Sequence, residues 1–251
     1  MATLKRERPQ DTMTPQDNRY LIETYLAGAF EPPKTAVDRI YDDLYRRIVS
    51  LDLPPGSELT RVALCEEYSV SQTPVREALQ RLERVNLVEV KPQSGTKVAF
   101  INVEEVKQNH FLRESLEFEV VRTLAEQTID GLIPRLRTLV TMQGQLEGYD
   151  QDTMNLFSRL DEVFHRTLFE AAGQGRLHHL VRSMSGHMDR IRRLHLPTEG
   201  KVRSVISSHT DIIDAIEANT PDLAVSHMRS HLKGTLAQLD NIRAAHPQYF
   251  V

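Results

Sequence analysis

Tryptophan is absent from this 251-residue sequence, and glycine and cysteine are scarce, with 11 residues and one residue respectively. A chain with little glycine offers few tight β-turns, so the composition favours a fold built mainly of helices. The single cysteine, Cys65, excludes an internal disulfide bond and is typical of a protein from a reducing compartment. The length allows one large domain or two small ones.

Long apolar runs are also missing. No stretch of about 18 apolar residues is present, and the first ten residues, MATLKRERPQ, contain no apolar signal-peptide core. We therefore expect a cytoplasmic protein that has no membrane partner.

The sequence has no excess of positive charge. It contains 31 Lys and Arg against 35 Asp and Glu, and residues 36–100 alone hold nine against ten. This balance excludes a uniformly basic nucleic-acid-binding protein. A DNA-binding surface would need its positive charge clustered on one face.

Short elements separated by turns fill the first hundred residues. Residues 1–35 are interpreted as a partly flexible N-terminal arm that contains a short helix. Residues 36–100 then show three helical segments separated by the turns LPPGSEL and YSVS. The extended runs Leu87–Val90 and Lys97–Ile101, joined by KPQSGT, predict a β-hairpin. This order predicts a winged helix-turn-helix domain over 36–100.

The helix predicted to begin at Gln72 has two distinct faces. The apolar face carries Val75, Ala78, Leu79 and Leu82. The polar face carries Gln72, Arg76, Gln80 and Arg84. Such side chains hydrogen-bond to base edges or phosphates, and Ser71 and Thr73 lie beside free amides that suit a phosphate. An amphipathic helix with a solvated polar face is the alternative.

Glycine in the predicted hairpin loop gives a second DNA contact. Gly95 lies between Ser94 and Thr96, where the lack of a side chain would let the backbone approach the minor groove. The alternative is that this glycine only satisfies the geometry of the turn.

From residue 102 onward the sequence shows helical periodicity without a strand signal, so we expect an all-α domain over 101–251. The first helix begins at Asn102, and the later ones are Ile133–Leu146, Asp152–Ala171, Arg176–Leu194, Lys201–Ala218 and Pro221–Ala244. The predicted fold class is therefore mainly α, with an N-terminal winged helix-turn-helix followed by an all-α six-helix bundle.

Histidine is abundant, and eight of the ten histidines lie between His165 and His231. Three of them, His165, His209 and His231, fall on or beside apolar helix faces, and Asp161 precedes His165 by four residues. Buried polar groups need partners, and one divalent metal would satisfy all four. An Asp with three His suits Zn, Ni, Mn or Fe and leaves coordination positions open.

Two alternatives to this ligand set remain. Each histidine could have its own hydrogen bond instead of a metal. His195 and His227 are substitute ligands if the helix faces are assigned wrongly.

The stretch PPGSEL…VSQTPVREALQRLERVNLVEVKPQSGTKV resembles the N-terminal domain of the GntR family of bacterial regulators. TPVREAL and the wing ending GTKV are its specific parts. The resemblance implies DNA contact through Ser71, Thr73 and Arg76. It also implies support from the helix that begins near Arg61 and from a wing tip at Gly95.

The second half of the chain looks like the FCD ligand-binding domain of the FadR-like branch of this family. Its metal-binding segments match DEVFHRTL, SSHTDIIDAI and HMRSHL. The resemblance implies that the metal ligands are Asp161, His165, His209 and His231.

The same branch has an R-x-x-x-E motif on its first bundle helix, matched by Arg113 and Glu117 in FLRESLEFE. The resemblance implies an effector site there, with Arg113 binding the effector's carboxylate. A surface ion pair is the alternative, worth about 0.2–0.5 kcal/mol at best.

Four positions depart from the family pattern. Gln72 and Asn86 stand where the family usually has Arg and Gly, Ser208 replaces a Glu, and Asn219-Thr220 replaces Gly-Asp. None of these positions is a predicted metal ligand.

These observations predict a homodimeric transcriptional regulator, by default a repressor. It would bind double-stranded operator DNA and sense a small carboxylate effector at a divalent metal, with Zn first among the candidates. One alternative is a metal-dependent enzyme acting on small carboxylic acids. Another is a DNA-binding protein whose metal is only structural.

Overall fold

The structure is a computed structural model that describes residues 15–27, 35–91, 95–146, 148–198 and 200–251. Most of the predicted arm and the predicted hairpin loop at 92–94 lie outside the described residues. The first helix, α1, spans Pro15–Ala27. Its Ile22 is buried in the apolar core of the second half of the chain, and Arg19 pairs with Asp152 at 3.2 Å.

A winged helix-turn-helix follows, as predicted. Its elements are α2 (Ala36–Val49), α3 (Arg61–Tyr68), α4 (Gln72–Arg84), β1 (Val88–Lys91) and β2 (Gly95–Val98). The two strands pair antiparallel with Val88 opposite Val98. The predicted apolar face of α4 is confirmed, because Val75, Ala78, Leu79 and Leu82 are all buried in the core of this unit.

The N-cap side chain bonds to the helix amides in α2 but not in α3 or α4. Thr35 and Asp38 form a capping box at the start of α2, each side chain accepting from the other residue's backbone amide. Ser71 and Thr60 occupy the N-cap positions of α4 and α3, but neither side chain bonds to the helix amides. The first amides of α4 therefore keep no side-chain partner.

The remaining residues form an all-α bundle. Its helices in the described residues are α5 (Val103–Ala125), α6 (Leu132–Gly144), α7 (Gln151–Ala171), α8 (Gly175–Met184), α9 (Gly186–His195), α10 (Lys201–Glu217), α11 (Pro221–Leu236) and α12 (Leu239–Ala245). Two predicted helices, Arg176–Leu194 and Pro221–Ala244, are each broken into two, at Ser185 and near Gln238. Thr220 occupies the N-cap position of α11 with Pro221 directly after it, but its hydroxyl donates to the Ala215 carbonyl rather than bonding to the helix amides.

The apolar face of α7 lies in the middle of the bundle. Phe157, Leu160, Phe164 and Leu168 are buried there, as their helical spacing predicts. Leu160, Phe164 and Leu168 share one core cluster with residues of α5, α6, α10 and α11. None of the helices in the described ranges is long and apolar enough to cross a membrane.

The start of α9 contacts the base of the wing. Gly186 packs so closely that an added Cβ would lie 2.6 Å from the Leu87 Cδ2 atom. Arg190 is fully buried and donates from Nη1 to the Ala99 carbonyl at 2.6 Å. His187 lies between Asn86 and Asn102, which flank the wing on either side. The winged unit and the bundle are therefore joined through α9.

Candidate metal centre and DNA-binding surface

The four predicted metal ligands meet in the interior of the bundle. Asp161 and His165 come from α7, His209 from α10 and His231 from α11, and their ligand atoms all lie within 4.8 Å of one another. Nε2 of His165 is 3.2 Å from Nε2 of His231, and Nε2 of His209 is 3.4 Å from an oxygen of Asp161. This spacing suits donors that share one cation at bond lengths of about 2 Å.

Each histidine of this quartet is held by its other ring nitrogen. Nδ1 of His165 lies 2.6 Å from a carboxylate oxygen of Glu117, and Nδ1 of His209 lies 3.0 Å from the amide oxygen of Gln143. Nδ1 of His231 lies 2.8 Å from the hydroxyl of Ser208. That hydroxyl donates its own hydrogen to the Val205 carbonyl, so it accepts from His231. All three Nδ1 atoms therefore carry the proton, and all three Nε2 atoms present lone pairs.

Lone pairs that face one another inside a protein need a shared positive charge. Nε2 of His165 and Nε2 of His231 cannot hydrogen-bond to each other when neither carries a proton. Nε2 of His209 is buried without a hydrogen-bond partner in the described residues. A divalent cation would satisfy these atoms together, so the residues present fit a metal.

The charge states of the quartet also suit metal binding. Burial raises the pKa of Asp161, but its contacts with the facing histidines outweigh burial and hold that pKa below its usual range. Burial lowers the pKa of His209, and it lowers the pKa of His231 strongly. A carboxylate with neutral imidazoles is the state in which these groups bind a metal.

Arg113 and Glu117 form a buried ion pair, so the alternative of a surface pair is wrong. Their side chains are 4% and 1% exposed, and Arg113 Nε lies 2.6 Å from Glu117 Oε1. Burial would raise the pKa of Glu117, but the charge of Arg113 and the hydrogen bond from His165 outweigh it and lower that pKa to about 2. Glu117 thus links Arg113 to the ring of His165.

The two substitute histidines lie outside the quartet. His195 is buried at the end of α9, with Nδ1 3.3 Å from the Thr235 hydroxyl. His227 is half-buried and is not among the clustered ligand atoms. The helix faces assigned from periodicity therefore correctly predict which three histidines lie close together.

A cavity of about 710 Å³ opens onto the quartet. Asp161, His165, His231 and Arg113 line it, whereas Glu117 does not. Side chains of α2 and α9 also line it, including Tyr45 and Arg193. The cavity therefore extends from the candidate metal centre to the first helix of the winged unit.

The residues predicted to contact DNA are exposed on the winged unit. Ser71, Gln72, Thr73 and Arg76 are exposed at the start of α4, and Arg61 is exposed at the start of α3. No described residue forms a hydrogen bond or ion pair with Arg61 or Arg76. Gly95 begins β2 with φ of +85°, a conformation that favours glycine. These positions leave both arginines available to a phosphate or a base edge.

Sequence reasoning missed two residues of the candidate metal centre, Gln143 and Ser208. Gln143 is fully buried and follows Leu132, Leu136 and Leu139 on the inner stripe of α6. A polar residue on that stripe was the available signal. Ser208 stands beside His209 and gave no signal of its own.

Known protein families match both halves of the chain. The model for bacterial regulatory proteins of the gntR family matches residues 36–98, and the FCD domain model matches residues 110–234. The chain is 33% identical over 211 residues to an uncharacterized HTH-type transcriptional regulator in an unstable DNA locus of Streptomyces ambofaciens. That alignment covers 84% of this chain and 88% of the relative. This chain belongs to the GntR family of bacterial transcriptional regulators.

Other members of the GntR family align over most of their length. The HTH-type transcriptional repressor RspR of Escherichia coli K12 is 25% identical, with 91% of this chain and 98% of RspR covered. The structure of E. coli McbR/YncC shares the fold with a TM-score of 0.69 and 21% identity, covering 83% of this chain and 98% of that one. A putative GntR regulator from Rhodococcus sp. RHA1 gives a TM-score of 0.65 and 20% identity, with 82% and 97% covered.

Membership of the GntR family decides between two classes of function. The relatives and the fold are those of transcriptional regulators, so this chain is a DNA-binding regulator, and the enzyme alternative is set aside. FCD domains bind metals, and the quartet in this chain could hold one.

Three departures from the expected GntR pattern have a structural explanation. Asn86 has φ of +57° and Asn219 has φ of +51°, a left-handed conformation that asparagine tolerates well. Ser208 stands where a glutamate is expected but still contacts Nδ1 of His231. None of these departures disturbs the candidate metal centre.

Proposed function

We propose that this GntR-family chain is a metal-dependent repressor that a small carboxylate releases from its operator. Two chains would form a homodimer whose winged units bind half-sites about one helical turn apart. DNA contact is assigned to Arg61, Ser71, Gln72, Thr73, Arg76 and Gly95. Zn is the first candidate for the metal, with Ni, Mn and Fe as alternatives.

The observation that carries this proposal is the convergence of Asp161, His165, His209 and His231, three of which (Asp161, His165 and His231) line a cavity that reaches the winged unit. A metal bound there by Asp161, His165, His209 and His231 would supply a Lewis acid for an anionic oxygen. Arg113 lines the same cavity and would bind the rest of the effector's carboxylate. Glu117 is assigned to positioning Arg113 and His165 rather than to contact with the effector.

The ligand can release the operator only if the chain has a DNA-binding and a released arrangement, and the ligand binds these two arrangements with different affinity. Such a difference in affinity is possible because the cavity is lined both by α2 of the winged unit and by α9 of the bundle. Tyr45 of α2 donates its hydroxyl hydrogen to Asp189 of α9 at 3.3 Å, so the wall of the cavity is itself a contact between the winged unit and the bundle. A carboxylate in the cavity would bias this contact.

Metal analysis and DNA binding test the proposal together. Operator DNA is selected from a random duplex pool with the metal-loaded chain, and its affinity is measured with acetate, lactate, pyruvate or succinate present. We expect one divalent metal per chain and at least about 10-fold weaker DNA binding with an effective acid. A chain that binds no metal contradicts the metal assignment, and an acid that strengthens DNA binding contradicts the proposed sign.

Arg76→Ala provides the matched control. The exposed Arg76 is far from the metal ligands in sequence and contacts none of them, so its loss should abolish operator binding and leave metal and acid binding intact. Wild-type affinity for the operator at physiological salt would contradict the assignment of Arg76 to DNA contact.

A further inference from the structure

Positive charge dominates the cavity beside the quartet. Its described lining includes seven Lys and Arg but four Asp and Glu. The lining cations that have an acidic partner are Arg46 with Asp43, Arg113 with Glu117, Arg182 with Glu162 and Asp189, and Arg192 with Asp189. The remaining three are Arg159, Arg193 and Lys201, which have no such partner among the described residues.

Two of these three side chains are partly buried away from water, and neither forms an ion pair with a described residue. Arg193, on α9, is half-buried, and its Nη1 atom is buried without a hydrogen-bond partner in the described part of the chain. Lys201 begins α10 and is also half-buried, with Nζ only 3.2 Å from where a Cβ on Gly234 would lie. Arg159, in contrast, is exposed.

Burial without a partner disfavours the charged form of both residues. Burial lowers the pKa of Arg193 although Asp52 opposes it, and burial lowers the pKa of Lys201 although Asp161 opposes it. A buried cation without a counterion costs free energy that an anion in the same place would recover. Because both residues line the cavity, an anion bound there would stabilise their charged forms.

We propose that Arg193 and Lys201 form a second anion-binding subsite, so that the effector is a dicarboxylate rather than a monocarboxylate. This rests on the proposed function, because the first carboxylate occupies the candidate metal centre and Arg113. The second carboxylate accepts hydrogen bonds from the guanidinium of Arg193 and from the ammonium of Lys201.

This subsite also connects the ligand to the wing. Arg193 lies on α9, the helix that holds the wing base through Gly186, His187 and Arg190. A dicarboxylate would bridge α7, which carries Asp161 and His165, to α9. A monocarboxylate would reach only the first of these helices.

The test compares acids of equal chain length in the metal-loaded full chain after free metal has been removed. Malonate, succinate, glutarate and adipate are titrated against propionate, butyrate, valerate and caproate by calorimetry at constant ionic strength. We expect at least one dicarboxylate to bind about 10- to 100-fold more tightly than its matched monocarboxylate, since hydrogen bonds to charged groups contribute about 1.5–3 kcal/mol.

Three variants identify the residues responsible. Arg193→Gln and Lys201→Gln should each reduce this preference and leave the affinity for the monocarboxylate unchanged. Arg159→Gln removes the same charge from an exposed position of the same cavity and should keep the preference. Melting temperatures of the acid-free variants report on folding, and Arg193→Gln should not lower that temperature, because it removes an unpaired buried charge.

The outcomes separate this inference from the proposed function. Equal affinity for both acid series, or a preference that survives in both Arg193→Gln and Lys201→Gln, overturns the second subsite and leaves metal-dependent sensing intact. If neither acid series binds in a metal-dependent way, the proposed function is overturned, and the second subsite with it.

Discussion

At the residue scale, the ring of His165 is held by Glu117, and the carboxylate of Glu117 is held by Arg113. Both contacts measure 2.6 Å in a fully buried setting. Partners of this kind orient a metal-binding imidazole and raise its basicity. The ion pair would therefore affect how His165 binds a metal, although Arg113 and Glu117 are not among the candidate ligands.

Replacing Glu117 by glutamine tests this role. Glu117→Gln keeps the size of the side chain but removes the charge beside Nδ1 of His165, so metal affinity should fall about 10-fold or more. Competition with a chelator measures this affinity. Glu114→Gln is the control, since Glu114 lies on the same helix and contacts His110 rather than the quartet. Unchanged metal affinity in Glu117→Gln would contradict the positioning role.

His187 makes the junction with the wing sensitive to acid. Its Nδ1 accepts from the Asn102 amide at 3.0 Å and from Arg190 at 2.9 Å, and its Nε2 donates to the Asn86 carbonyl at 3.0 Å. A proton on Nδ1 would break two of these bonds. Burial and the charge of Arg190 accordingly lower the pKa of His187 to about 3.

The sign of the pH effect follows from this shift. The unfolded chain binds the proton near pH 6.5, whereas the folded chain does not until about pH 3. The contribution of His187 to stability is thus complete above pH 6.5 and is lost as the pH falls, by about 2 kcal/mol at pH 5.

Urea denaturation of the metal-free chain at pH 7.5 and pH 5 measures this effect. His187→Gln should be less stable than wild type at pH 7.5 but should lose about 2 kcal/mol less on acidification. His179→Gln, at an exposed position, should lose as much as wild type. An equal loss in His187→Gln and wild type would contradict the assignment.

At the element scale, the parts of the fold that depend on local sequence could be predicted. The capping box at Thr35 and the apolar face of α4 need only residues a few positions apart, and both are present. Periodicity also predicted which histidines face inward, because it reports the side of a helix that packs against its neighbours.

The break between α8 and α9 could not be predicted in the same way. Residues 176–194 read as one helix, and the Ser185–Gly186 pair is a weak signal for a kink. At the break, Gly186 packs against Leu87, which is distant in sequence and so invisible to a local pattern. The contacts of Gln143 and Ser208 with histidine rings depend on helix packing in the same way. Local patterns therefore predicted the four residues that cluster as candidate metal ligands, but not Gln143 and Ser208, which contact two of their rings.

At the scale of the whole molecule, α9 connects the two proposed activities. One part of it lines the cavity with Asp189, Arg192 and Arg193, and another part packs on the wing base with Gly186 and Arg190. A change in the cavity that moves α9 must also move the wing. The coupling between ligand and DNA should therefore depend on the close approach of Gly186 to Leu87.

Gly186→Ala tests this coupling. The added Cβ would meet the Leu87 side chain at 2.6–3.0 Å, so the chain should lose about 1–3 kcal/mol of stability, as overpacked cores do. Metal and acid binding should persist, because the quartet is made by other helices. The effect of the acid on operator affinity should shrink, because α9 no longer fits the wing base. Gel-shift titrations with and without the acid measure this effect.

Gly175→Ala is the matched control for Gly186→Ala. It makes the same substitution at the first residue of the neighbouring helix, where the added Cβ would lie at an ordinary 3.6 Å from Glu170. This variant should keep wild-type stability and the full response to the acid. If Gly186→Ala also keeps the full response, the packing of Gly186 against Leu87 does not transmit the signal. The contact between Tyr45 of α2 and Asp189 of α9 would then be another connection from the cavity to the winged unit.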